Sequence, residues 1–347
     1  MNTGQQVRDH IRKVSQQTTI ERRGIKIETD APVTGAVAIG DAVAASFGDG
    51  KIRFFRPDLE PDVVQAHHGV VLSLAANDDY LLTGGDDGRI LQIWPNSSIE
   101  EIANFGTKWV DCVAVNKEFR ACSSGRKAFV WMPGETEPVE LEHSSTVGGL
   151  AFDEKGKRLA VAHYGGVTIW ERRKTRWQKV RLVWQGSHGA VTFSPDGKFV
   201  VTAMQENALH AWRVRGKIDL AMAGYPAKIK SFTWLGDEPY LVTAGADEAV
   251  CWPFDGPKGP MNRSPVCVAK HGKNIATYVK AFPAEKAVFV GFQDGVVLLA
   301  ELDESKDPIV LKSSSGAEVT AIAITETQSH LFIGDANGQI LWTPLWS

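Results

Sequence analysis

Only four cysteines occur in 347 residues, Cys112, Cys122, Cys251 and Cys267, and no two of them form a CxxC pair. This argues against a disulfide framework and against paired-thiol zinc motifs. Each lies in an alternating apolar run and is read as a buried free thiol of a reducing compartment. No stretch approaches the roughly 20 consecutive apolar residues that span a bilayer. The opening, MNTGQQVRDHIRKVSQQTTIERRG, lacks the apolar segment of a secretory signal. The expectation is an uncleaved, cytoplasmic protein without membrane contact. Residues 7–14 (VRDHIRKV) could form one or two amphipathic turns within a polar, fraying tail over 1–21. Excess charge is also scarce. Lys+Arg number 38 against 41 Asp+Glu, for a net charge of −3. Retention on nucleic acid by bulk charge is therefore not expected. Nucleophile elbows, P-loops and HExxH pairs are missing. The GGDDG at 84–88 lacks the spaced oxygen ligands and terminal glutamate of a calcium hand. Carboxylates are scattered among turns, so no acid/base pair can be assigned and an enzyme is not expected.

Glycine and tryptophan are plentiful, at 33 and 11 residues. Many glycines mean many tight turns, and the tryptophans mark a repeat. HHGVVLSLAANDDYLLTGGDDGRILQIW ends at Trp94. Comparable units end at Trp131, Trp170, Trp212 and Trp252. An earlier copy ends at Phe55, and two weaker ones end at Ala300 and Trp342. The period of roughly 37 to 48 residues is that of a propeller blade and exceeds an ankyrin or leucine-rich repeat. Each unit reads as three strands. An apolar run is followed by a polar turn, a small-and-apolar run, a tight turn such as DDG or ANG, and a closing run. A fourth strand fits between units, as in PDVVQAH, IEEIANF, WQKVRLVW and KIDLAMA.

These units resemble the WD40-repeat family over about residues 22–347. That family's polar tetrad is a histidine before the first strand, Ser/Thr on the second, Asp in the tight turn and Trp on the third. The second unit matches it at His67 (or His68), Thr83, Asp87 and Trp94. Such a network is structural. The fifth unit keeps Thr202 and Trp212 but has Glu206 at the aspartate position. The sixth keeps Thr243 and Asp247, with Trp252 one residue early. The resemblance implies an all-β propeller of four-stranded blades in a single domain over 22–347. The unit count favours eight blades, with seven as the alternative. An N-terminal strand in 22–29 (RRGIKIET) would complete the last blade and close the ring. The Pro/Gly-rich segment 255–265 is expected to be a loop between outer strands.

The resemblance further implies a non-enzymatic scaffold that binds a peptide or folded protein across the propeller's top face, with a monomer favoured. Residues before first strands and in tight turns would meet the partner. They are Phe47, Asp86, Trp109, Thr146, Tyr164, Gln205, Lys228, Gln293 and Glu318. Six histidines map to the same face: His67, His68, His143, His163, His188 and His271. Their convergence would make a zinc site, with Cys112 as a possible further ligand, and this metal-handling propeller is the alternative function. A propeller-type hydrolase or lyase is less expected still. The basic run ERRKTRWQKVR at 171–181 reads as a solvated hairpin, or else as a patch for an acidic partner or nucleic acid.

Overall fold

The computed structural model describes residues 16–174, 176–236 and 239–346. The expected helix at 7–14 lies outside them. Almost every described element is a β-strand. Alternating apolar residues, interrupted by Asp-Gly or Asn-Gly turns, leave little else for the chain to form. No helix among the described residues is long and apolar enough to cross a membrane.

The described residues assemble into seven hydrogen-bonded sheets, not the eight that the repeat count favours. Six are four-stranded, spanning residues 33–65, 71–104, 112–142, 232–268, 276–312, and 319–344 together with an N-terminal strand. The seventh is six-stranded and spans residues 147–222. It absorbs both the fourth and the fifth sequence units. The reason is local. Strands Arg158–Arg173 and Arg176–Phe193 run for 16 and 18 residues. Where a break between units is expected, the ladder continues instead, with Tyr164 opposite Ser187 and Gly166 opposite Val183. Gly165, Gly166 and Gly186 supply positive φ values of 89°, 131° and 120°. The chain reverses at Gly165 and Gly166, since the Arg172 amide donates to the Lys157 carbonyl at 2.8 Å and His163 Nε2 meets Thr168 Oγ1 at 2.9 Å, while the pairing with Arg176–Phe193 carries on.

Within each sheet, successive strands are antiparallel and adjacent. The expected fourth strands are present on the outer edges, including Asp62–Gln65, Ile99–Asn104 and Ile218–Met222. The segment 255–265 is a loop, between the third strand Ala249–Pro253 and the outer strand Val266–Val268.

Hydrophobic clusters join consecutive sheets, as layered packing requires. Buried Ile52 and Phe54 of the first sheet pack with Leu81, Leu91 and Ile93 of the second. The first and last sheets share a cluster in which the Phe55 ring sits 4.9 Å from Phe332 and 5.9 Å from Trp342.

The N-terminal strand Ile25–Glu28 pairs with Gln339–Pro344, Ile25 opposite Trp342 and Glu28 opposite Gln339. It supplies the fourth strand of the last sheet, as the sequence suggests. Residues 18–21, expected in the polar tail, are not tail-like. Thr18 caps the short helix Thr19–Arg23 in a capping box with Glu21. The Glu21 side chain is 3 % exposed. Its carboxylate accepts from the Ser313 amide (3.0 Å), the Ser313 hydroxyl (2.9 Å) and Lys26 (3.1 Å). Burial alone would raise its pKa, but these bonds hold it below the ordinary value. Glu21→Ala leaves the Ser313 donors unpaired, and a loss of about 2 kcal/mol is expected in urea unfolding. Glu21→Gln, which keeps an acceptor, should lose less.

Candidate partner-binding face

In an antiparallel four-stranded sheet, the loop before the first strand and the turn after the second leave at the same end. Here that end is tied together by side chains. In the second unit, His67 Nδ1 donates to Asp87 at 2.9 Å and its Nε2 accepts from the Thr83 hydroxyl at 2.9 Å. Asp87 also accepts from the His68 and Arg89 amides. Burial lowers the His67 pKa in spite of the neighbouring carboxylate. Burial would raise that of Asp87, but the hydrogen bonds from His68 and His67 keep it low. The network therefore holds a neutral imidazole against an ionised carboxylate. Gly88, at φ +77°, closes the turn with its α-carbon against the Gly106 carbonyl, where a side chain has no room.

Trp94, the expected fourth member, stands outside this network. Two positions before Thr202, Val200 pairs with Trp212. Two positions before Thr83, Leu81 pairs with Ile93. Ile93 thus occupies the register position, and Trp94 lies one residue past its strand, where its backbone closes a turn with Ser97 and Ser98. A one-residue slip moves a side chain to the other face. The sixth unit shows the converse. Thr243 pairs with Val250, seven residues on, whereas Thr202 pairs with His210 and Thr83 with Leu91, eight on. The shorter turn brings Trp252 into register opposite Leu241. Tyr225 there takes the place of histidine. Its hydroxyl meets Thr243 Oγ1 at 2.7 Å and accepts from the Trp252 indole at 2.6 Å. Sequence reading misses Tyr225 because a phenol is not the expected residue type.

The histidines do not converge. His188 is bonded to Thr202 and to the Trp184 carbonyl, His163 to the Tyr164 carbonyl and Thr168, and His271 to Asp294. His143 Nε2 accepts from the Trp170 indole at 2.9 Å. His68 is exposed. No group of three or more His, Cys, Asp or Glu among the described residues could hold a metal ion. Five of the six rings are hydrogen-bonded within their own sheets and His68 is exposed, so nothing in this arrangement supports the zinc expectation. Burial pushes the Cys112 thiol up to about 11, so it is protonated at neutral pH and a poor ligand.

Two buried rings are under-satisfied. Among the described residues, His143 Nδ1 and both nitrogens of His210 have no hydrogen-bond partner of good geometry, Asp219 standing 3.7 Å from His210 Nε2. His210 is fully buried, stacked under Trp184 at 4.0 Å and set 4.6 Å from Trp212. Burial depresses both pKa values to about 4, with neighbouring His163 adding to the effect at His143.

The residues expected to meet a partner are unevenly placed. Phe47 is completely buried under the Arg53 guanidinium and cannot touch a partner. It ends its strand on the core side of the pleat, a direction that position in the repeat does not give. Asp86 and Glu318 are half-buried, and Glu318 is ion-paired to Lys230. Thr146, Gln205, Lys228 and Gln293 are exposed. Trp109 is 58 % exposed and Tyr164 61 % exposed. The backbones beside them are fixed: the Val110 amide donates to the Gly85 carbonyl and the Tyr164 amide to Ser145 Oγ, both at 3.0 Å. Val183 and Trp184, which the sequence reading did not single out, add exposed apolar surface at the same end.

Comparisons with known proteins agree with this geometry. The family model described as WD domain, G-beta repeat matches residues 61–92. Angio-associated migratory cell protein of Homo sapiens is 26 % identical over 219 residues, covering 60 % of this chain and 47 % of that protein. WD repeat-containing protein 55 of Homo sapiens is 22 % identical over 210 residues, covering 58 % and 53 %. Periodic tryptophan protein 2 homolog of Mus musculus is 25 % identical over 262 residues, covering 54 % and 28 %. The chain spans about half, or less, of the length of these curated relatives. In fold it is similar to the crystal structure of the computationally designed protein Ika8, with a TM-score of 0.74 at 17 % identity, covering 92 % of this chain and 98 % of that one. The family match falls on the same stretch in which His67, Thr83 and Asp87 meet, so the chain carries a WD40 repeat within a β-propeller fold.

Proposed function

We propose that this protein is a non-enzymatic scaffold that binds a protein partner over the end of the propeller where Trp109 and Tyr164 stand. One observation carries the reading. Two large aromatic side chains from neighbouring units are held out in solvent on loops whose backbones are pinned by hydrogen bonds. Rigid, exposed aromatics lose little entropy on binding and are typical interface anchors. Exposed Thr146, Gln205 and Lys228 supply a polar rim from the same loop positions. The similarity to a WD repeat-containing protein supports interaction rather than catalysis.

The test compares proteins captured by the wild-type chain and by Trp109→Ala, Tyr164→Ala and Lys228→Glu variants, identified by mass spectrometry. All three positions are exposed, so thermal midpoints should stay within a few degrees of wild type. A partner captured by wild type should be lost from both aromatic variants and weakened with Lys228→Glu. If both aromatic variants capture it as well as wild type, this face is not the binding site.

A further inference from the structure

The connections after first strands and after third strands leave at the opposite end of the sheets from Trp109. Between the sheet of residues 276–312 and the last sheet, that end carries a groove of about 360 Å³. Its floor is apolar and buried, formed by Phe282, Ala287 and Leu311. Its walls include Ile309, 61 % exposed, and Trp346, 55 % exposed. The Trp346 indole is fixed by donating to the Gln328 carbonyl at 3.0 Å, with its ring 5.9 Å from Phe282. Side chains of this size are normally covered when they line a preformed concave surface.

The rim is acidic. It holds Glu285, Glu301 and Asp307 against a single lysine, Lys306, which is already paired with Glu301. Asp303 and Glu304 lie in the same loop. Two rim carboxylates, Glu285 and Asp307, thus face an apolar trough whose lining holds no cation besides the paired Lys306. We propose that this groove is a second docking site, for a peptide segment of a partner protein that carries a large apolar side chain beside lysine or arginine. The apolar side chain fills the trough between Ile309 and Trp346. The cation is held by Glu285 or Asp307, which are exposed and need no desolvation beyond the contact itself. The site is separate from the Trp109 and Tyr164 end, so it stands whether or not that face binds.

The test uses an array of synthetic octapeptides in which apolar, Lys/Arg and Asp/Glu content are varied independently, followed by fluorescence anisotropy on the best binders. Peptides combining one aromatic or leucine with two basic residues should bind, and peptides with the same apolar content and acidic residues should not. Ile309→Asp should weaken binding at least tenfold, and Glu285→Lys with Asp307→Lys should reverse the charge preference. Both changes sit at exposed positions, and unchanged sheet circular dichroism confirms the fold. Trp109→Ala should have no effect. Raising salt should weaken the wild-type interaction. Equal binding of acidic and basic peptides, or binding indifferent to Ile309→Asp, overturns the proposal. So does a dimer in sedimentation that Ile309→Asp dissociates, because the groove would then be filled by a second copy.

Discussion

Acidification from pH 7.5 to 5 is expected to strip this fold of stability through two buried imidazoles. His143 and His210 titrate near 4 in the folded protein and near 6.5 when unfolded. Above pH 6.5 both states hold neutral rings and no stability depends on pH through them. Below 6.5 the unfolded chain takes up protons that the folded chain refuses, so stability falls with pH. Below 4 both states are protonated and the loss levels off. Each ring costs up to about 2 kcal/mol at pH 5 and about 3 kcal/mol at pH 4. Urea unfolding at pH 7.5, 6, 5 and 4 measures this directly. His210→Phe gives the sharper version. The wild-type ring makes no well-formed hydrogen bond and lies between Trp184 and Trp212. An apolar ring of similar shape removes two unsatisfied buried atoms. The variant should match or exceed wild-type stability at pH 7.5 and retain up to about 2 kcal/mol more at pH 5. A variant that loses stability at pH 7.5 and titrates like wild type would show that the His210 ring is hydrogen-bonded after all.

The second large effect concerns the network of the second unit. Asp87→Ala removes the acceptor for His67 Nδ1 and for the His68 and Arg89 amides. Three donors lose their partner beside a completely buried ring, and a loss of about 3 kcal/mol is expected. Trp94→Ala should cost only about 1 kcal/mol, because that half-buried side chain sits outside the network. The order of the two is the informative result. A tryptophan variant as damaging as the aspartate variant would mean that the register described for Leu81 and Ile93 is wrong.

The repeat, the outer strands, the N-terminal strand and the turn glycines were all legible in the sequence, because period, alternation and Asp-Gly turns are local signals. The number of sheets was not. Counting units assumes that each break in pattern breaks the ladder, and at Gly165 and Gly166 the chain reverses while its pairing with Arg176–Phe193 persists. Side-chain direction was the second gap. Phe47 and Trp94 were placed by position in the repeat, and a single residue of register or pleat decides whether such a side chain reaches solvent, core or network. Tyr225 shows the same limit in reverse, since the role survived a change of residue type that a motif cannot register. The histidines, read from the sequence as a converging set, are with the exception of exposed His68 spent on hydroxyls, carbonyls, carboxylates and an indole of their own sheets.

The pairing of Ile25–Glu28 with Gln339–Pro344 also decides how the molecule answers a pull. The ladder is antiparallel, with Ile25 beside Trp342, so the chain leaves both strands at the same end. Tension applied across the two ends loads the interstrand bonds one after another, as in opening a zipper, rather than all at once in shear. The first resistance is then the Thr18 and Glu21 latch onto Leu311 and Ser313. Once that gives, the last sheet peels open at low force while the other sheets are still intact.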